Sequence, residues 1–159
     1  MKGIVAYDSV YGNTKLVAEA IAEQLRSDGY DVELVSVKES KTAPMGDFMF
    51  IGSPTRIGRP TKEAKKFVED LSVDFWKSRP IVIFDTVGPF PEEKEKREKW
   101  LARIEKSAAS RLRDLARSRG LNIDQELLHF AVTGFKGPLA PDALAMAKDS
   151  AHKFVATLQ

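Results

Sequence analysis

The chain has no cysteine among its 159 residues. Disulfides, thiolate metal sites, iron–sulfur clusters and a cysteine nucleophile are therefore excluded together. Histidine is scarce as well. His129 falls within an expected strand and His152 on an expected helix. Neither has a second histidine or a carboxylate at metal-ligand spacing, so no metal site is expected. No apolar run is long enough to span a membrane. The opening M-K-G-I-V-A-Y is too short in its apolar part for a signal peptide, which leaves the cytoplasm as the expected location. A formal charge of +2 is too small to argue for nucleic acid or a membrane surface. Neither GxxxxGK[ST] nor GxGxxG occurs, so a P-loop nucleotidase and a dinucleotide fold are not expected.

What is present is an ordinary globular composition, 43% hydrophobic and 30% charged, in a length that fits one domain over residues 1–159. Ile4-Val5-Ala6-Tyr7 is a short apolar run suited to the centre of a parallel sheet. Val17, Ala20, Ile21 and Leu25 then fall at helical spacing. Further strands are expected at Val32–Val37, Asp47–Gly52, Pro80–Asp85 and Glu126–Val132. Ala64, Phe67, Val68 and Leu71 mark a second helix, with Thr61 as its cap. One long helix is expected from Glu92 to Arg119, striped by Leu101, Ile104, Ala108, Leu112 and Leu115. Its first turns offer the pairs Glu92–Lys96, Glu93–Arg97 and Glu95–Lys99. Leu144, Ala147, Ala151, Phe154 and Leu158 mark a closing helix. Trp76, before the fourth strand, is expected to be structural, and Trp100 to be core or helix cover.

Strands alternating with helices imply a parallel sheet with right-handed crossovers and helices on both faces. Ligands of such sheets bind beyond the carboxyl ends of the strands, where the winding reverses. Residues 8–14, 53–60 and 86–90 would converge there. The first of these loops opens a helix, whose free N–H groups and roughly half a positive charge suit a phosphate. With no Lys or Arg before Lys15, an anion would rest on backbone N–H groups from Val10 to Thr14 and on the hydroxyls of Ser9 and Thr14. Gly12 lets the backbone approach the ligand. The competing reading is that Asn13 or Thr14 simply caps the helix.

These loops carry a family resemblance that spans the chain. D-S-V-Y-G-N-T (8–14) resembles the phosphate loop of flavodoxins, and I-G-S-P-T-R-I-G (51–58) resembles their second flavin loop. The latter is especially similar to the P-T-R-F-G stretch of flavodoxin-like NAD(P)H:quinone reductases. D-T-V-G-P-F-P (85–91) stands where the third loop belongs, and an uninterrupted fifth strand matches the short-chain form. Ala6, Val10 and Glu19 depart from the family's usual first-loop residues. The resemblance implies an α/β fold, a flavodoxin-like three-layer α/β/α sandwich on a five-stranded parallel sheet of order 2-1-3-4-5. It also implies FMN as cofactor, held by Ser9, Val10, Tyr11, Gly12, Asn13 and Thr14, by Pro54, Thr55, Arg56, Ile57 and Gly58, and by Thr86, Val87, Gly88 and Phe90.

Within that set, Thr55 is expected to reach the ribityl chain or phosphate. The Ile57–Gly58 peptide is expected to lie beside flavin N5, where glycine permits positive φ. Phe90 and Tyr11 are candidates to cover the ring. Arg56 and Arg59 would favour an anionic reduced flavin, dock an acidic partner or hold the phosphates of NADPH, or remain solvated. The implied function is electron carriage between redox proteins or a reductase. The alternative is an FMN-dependent NAD(P)H:quinone oxidoreductase. A phosphoacceptor domain fails for want of an aspartate after the third strand, where Gly52-Ser53-Pro54 stands. A scaffold that has lost its cofactor is the remaining reading.

Overall fold

The computed structural model describes residues 1–89, 91 and 93–158. Five strands, β1 (Lys2–Tyr7), β2 (Asp31–Ser36), β3 (Phe48–Pro54), β4 (Ile81–Val87) and β5 (Leu128–Ala131), form one parallel sheet of order β2-β1-β3-β4-β5. The helices are α1 (Asn13–Ser27), α2 (Lys62–Asp70), α3 (Val73–Trp76), α4 (Lys94–Ile104), α5 (Ala108–Ser118) and α6 (Ala143–Ala156). Fold class and strand order agree with expectation.

Period-two alternation along the buried strands sorts the core into two layers. Phe48 and Phe50 of β3, with Phe84 of β4, face α1 and α6 and pack with Val17, Ile21 and Phe154. Met49 and Ile51, with Ile81 and Ile83, face the other side and pack with Val68 of α2, Leu112 of α5 and Trp76. Trp76 is buried and structural, as its position before β4 suggests. The chain runs outward from β1 to β2, then returns past β1 to β3. The carboxyl ends of β1 and β3 therefore part, leaving a crevice between their following loops.

The expected long helix is two helices. The break comes at Ser107, which caps α5 by accepting from the Ser110 N–H. Ser110 Oγ in turn donates to the Ile104 carbonyl at 2.7 Å. Side-chain hydroxyls that bond nearby backbone compete with helix continuation. Burial settles the outcome. Ala108 and Ala109 are fully buried against the sheet, whereas α4 buries none of its residues and Leu101 stays exposed. The two halves of the expected apolar stripe thus belong to different helices. The expected charge pairs also differ: among the described residues, Glu93 pairs with Lys96 at 3.5 Å instead of with Arg97, and Glu95 has no pair with Lys99. Glu92 lies outside the described residues. Trp100, expected as core or helix cover, is half-buried and donates its indole N–H to the Gly88 carbonyl at 3.2 Å.

Candidate functional site

The loop after β1 is drawn tight by two side chains. Ser9 Oγ accepts from the N–H groups of Gly12 (3.1 Å) and Lys15 (3.3 Å), while Asp8 Oδ1 accepts from the Ser9 N–H at 3.0 Å. Gly12 takes φ 95° as the residue before α1. The residue before α1 is a glycine and Ser9, further back, meets the Lys15 N–H, so the reading of Asn13 or Thr14 as a simple cap is overturned. The Asn13 amide instead donates to the Lys136 carbonyl at 3.1 Å, and the Thr14 hydroxyl pairs with the Thr86 hydroxyl at 2.8 Å. As a result the N–H groups of Val10, Tyr11, Asn13 and Thr14 have no acceptor among the described residues. These two loop amides and the first two amides of α1 could serve an anion, and Gly12 has nothing within 4 Å of its Cβ position. The first N–H groups of any helix lack intrahelical acceptors, so these amides are free for water or for an external anion.

The second loop is a tight turn. Arg56 and Arg59 exchange backbone hydrogen bonds of 2.8 and 3.0 Å around Ile57 (φ 50°) and Gly58 (φ 71°). Two successive positive φ values follow the type I′ pattern, which glycine and asparagine accept and a β-branched residue resists. Ile57 adopts it nonetheless, with its side chain 99% exposed. Backbone strain of this kind concentrates where a ligand or partner is engaged.

Asp85, on β4, holds the base of this loop. It is fully buried and accepts from the Ala109 N–H at 2.9 Å and from the Thr55 hydroxyl at 3.1 Å, with His129 Nδ1 2.7 Å away. Thr55 Oγ1 in turn accepts from the Ala108 N–H at 3.0 Å. One carboxylate thereby joins the second loop, β4, β5 and the start of α5. Sequence reading passed over Asp85 because it ends an otherwise apolar strand; a lone acid at a strand's carboxyl end beside the crevice is the signal that marks it.

The third loop begins later than expected, because β4 continues through Thr86 and Val87. Three of its carbonyls already have donors: Thr86 from the Thr55 N–H, Val87 from the Val132 N–H and Gly88 from the Trp100 indole. Phe90 lies outside the described residues.

The three loops enclose a cleft of about 490 Å³. Ser9, Val10, Tyr11, Asn13 and Thr14 line it from the first loop, Pro54 to Ile57 from the second, and Thr86 to Gly88 from the third. Of the remaining expected site residues, Gly12 does not line the cleft and Gly58 faces an adjoining one. A fourth loop was not anticipated. Val132, Gly134 and Phe135, after β5, complete the wall. Their signal is the turn-rich T-G-F-K-G-P that follows the last strand at the same sheet edge. Phe135 is exposed, and its ring lies 5.7 Å from that of Tyr11. Arg56 and Lys136 stand over the Tyr11 ring at 5.9 and 5.7 Å, so the exposed tyrosine is fixed by cation–π contacts. Among the described residues no group of three His, Asp or Glu side chains is placed to hold a metal, and no helix is long and apolar enough to cross a membrane.

A family profile described as "Flavodoxin domain" matches residues 4–131. A flavodoxin of Aquifex aeolicus (strain VF5) is 38% identical over 78 residues, an alignment that spans 47% of this chain and 42% of that protein. Among solved structures, a flavodoxin from the domain Archaea superposes with a TM-score of 0.74 at 21% identity, covering 99% of this chain and 98% of that one. Oxidised flavodoxin 1 of Bacillus cereus gives 0.71 at 18% identity over the full length of both chains. A WrbA-like flavodoxin protein of Agrobacterium tumefaciens gives 0.65 at 18%, covering 96% and 93%. At these identities the structural likeness speaks for the fold alone.

Proposed function

Because the chain belongs to the flavodoxin domain family, whose cofactor is FMN, we propose that it is an electron-transfer protein working through non-covalently bound FMN at the cleft of the four loops. The observation that carries this reading is the set of four amides, Val10, Tyr11, Asn13 and Thr14, left without acceptors at the start of α1. They receive the phosphate, whose charge-assisted hydrogen bonds are roughly twice as strong as neutral ones. Thr55 lines the cleft, but its hydroxyl is engaged by Asp85 and the Ala108 N–H, and its own N–H by the Thr86 carbonyl. Its carbonyl, not the hydroxyl expected from sequence, is therefore the group it offers the cofactor's polar chain. Ile57 and Tyr11 lend apolar surface to its ring. The Ile57–Gly58 peptide stands at the ring's edge with Thr86, Val87 and Gly88 beside it. FMN itself supplies one- and two-electron chemistry; the chain binds it, orients it and restricts water.

A redox protein or a reductase is the expected electron donor. The second reading, an FMN-dependent NAD(P)H:quinone oxidoreductase, is favoured by the cations beside the cleft, Arg56, Arg59 and Arg103, which suit a phosphate-bearing nucleotide. FMN titration of the cofactor-free protein tests the common premise: the expected result is saturable quenching of flavin fluorescence with one site per chain. Free flavin fluorescence retained at every protein concentration would dismiss both readings. Adding NADPH to the loaded protein separates them, since a carrier keeps its flavin absorbance without a reductase and an oxidoreductase loses it.

A further inference from the structure

A second cleft, of about 820 Å³, adjoins the first and shares Thr55, Ile57, Val87, Gly88 and Arg103 with it. Its outer wall is α4. Along that helix Lys96, Lys99, Trp100, Arg103 and Ile104 face the cleft, a run at i, i+3, i+4, i+7 and i+8 that lies on one side of the cylinder. Lys94 and Arg97 share the outer face of α4 with its acids, whereas the side lining the cleft carries cations only. Glu95 and Glu98 of the helix, and Glu93 and Glu105 at its ends, all lie outside the lining. With Lys106 and Arg111 the cleft has five cations in its wall and, among the described residues, no carboxylate. Among the described residues, Lys99, Arg103 and Lys106 have no ion-pair partner. Apart from Thr55 and Ser107 the rest of the wall is apolar or glycine, with Val87, Pro89, Pro91, Trp100 and Ile104 its larger members.

This arrangement is unfavourable for the chain by itself. Lys96 is paired with Glu93 and Arg111 with two carbonyls. Lys99, Arg103 and Lys106, however, stand together at one concavity and repel one another, and α4 gains no burial in return, since none of its residues is buried. A helix that turns a tryptophan, an isoleucine and three cations toward an open space is matched by a ligand with an apolar body and negative charge at its edges. The walls are concave and the volume falls in the range of small-molecule sites, about 300–1,000 Å³, which favours a compact molecule over the flatter face of a protein. Trp100 is held for such a role, because its indole N–H is bonded to the Gly88 carbonyl.

We infer that the cleft between α4 and the second and third loops binds a planar aromatic anion, one bearing sulfonate, carboxylate or phosphate groups. The aromatic body lies along Trp100, Val87 and Ile104, and Lys96, Lys99 and Arg103 meet the charged edge. The binding site stands on the cleft alone.

Naphthalene-2,6-disulfonate serves as the probe, titrated calorimetrically and by tryptophan fluorescence into both FMN-loaded and FMN-free full-length protein. The expected result is saturable binding in both forms, with quenching that disappears in Trp100→Phe. Neutral 2-naphthol and inorganic sulfate are each expected to bind at least tenfold more weakly. Lys96→Gln/Lys99→Gln should weaken disulfonate binding at least tenfold, and Lys96→Arg/Lys99→Arg should restore it. Equal affinity for sulfate would reduce the site to a counter-ion patch and overturn the proposal. So would an unchanged affinity in the glutamine variant, quenching that persists without Trp100, or loss of disulfonate binding once FMN is loaded. If FMN fails to bind while the disulfonate binds as expected, the cofactor reading falls and the cleft assignment stands.

Discussion

Arg111 reaches from α5 across to the second loop, where its Nε donates to the Gly58 carbonyl at 2.6 Å. The same Nε donates to the Lys106 carbonyl at 3.0 Å, so the loop and the segment before α5 share one anchor. This anchor helps hold Ile57 and Gly58 in their left-handed conformations.

Ile57→Asn is therefore expected to stabilise the cofactor-free protein by about 1 kcal/mol, because asparagine accepts positive φ more readily and the exposed isoleucine gives up no burial. Gly58→Ala should have the opposite sign and similar size. Its Cβ would meet only the Lys106 carbonyl, at an ordinary 3.6 Å, which leaves the backbone conformation as the cost. Urea unfolding of the two variants checks both. FMN affinity should fall in Ile57→Asn despite the gain in stability, since the apolar cover is lost.

Asp85→Ala leaves the Ala109 N–H, the Thr55 hydroxyl and His129 without their acceptor, the first of these where the chain is fully buried. A loss of about 3 kcal/mol is expected, from unmet polar groups at roughly 1–3 kcal/mol each with partial relaxation. Asp85→Asn keeps one carbonyl oxygen for Ala109 and Thr55 and should cost less than half as much. Denaturant midpoints with unchanged m-values would support a local effect on the folded state.

Gly52 lies on β3 directly opposite Phe84 on β4, and a Cβ there would come within 2.1 Å of the ring. Gly52→Ala should destabilise the chain by about 3 kcal/mol, at the upper end for overpacking. Phe84→Leu in the same chain should recover part of that loss. Thermal unfolding of the single and double variants reads the coupling, and strictly additive losses would show that the ring is not the obstacle.

Ser107→Ala removes the cap of α5 where the hydroxyl is buried and also faces the Ser110 hydroxyl at 3.3 Å. The expected loss is about 1 kcal/mol. Hydrogen exchange should quicken first at Ala108, Ala109 and Ser110, while the α6 amides keep their protection.

Local rules made most of the fold legible. The short apolar runs could be buried only as inner strands, and the intervening helical periodicities required covering helices on both faces of a parallel sheet. The order β2-β1-β3-β4-β5, by contrast, was an expectation of the family resemblance, which the structure bears out. The same rules brought the first three loops to one edge. They failed between residues 92 and 119. There the spacing of Leu101, Ile104, Ala108 and Leu112 reads as one stripe, but whether a stripe is continuous depends on what it packs against. Only residues from Ala108 onward find the sheet, and a buried carboxylate on β4 receives the Ala109 N–H that a continuous helix would have turned inward on itself.

What the sequence determined by itself was the kind of layer each segment joins and which loops share the sheet's carboxyl edge, because both follow from contacts between near neighbours and from chain handedness. The tertiary structure alone decided the helix break at Ser107, the role of Asp85, the fourth wall from Phe135 and the basic cleft under α4. Each depends on groups far apart in the chain whose hydrogen bonds and charges acquire meaning only once they are brought within a few ångströms.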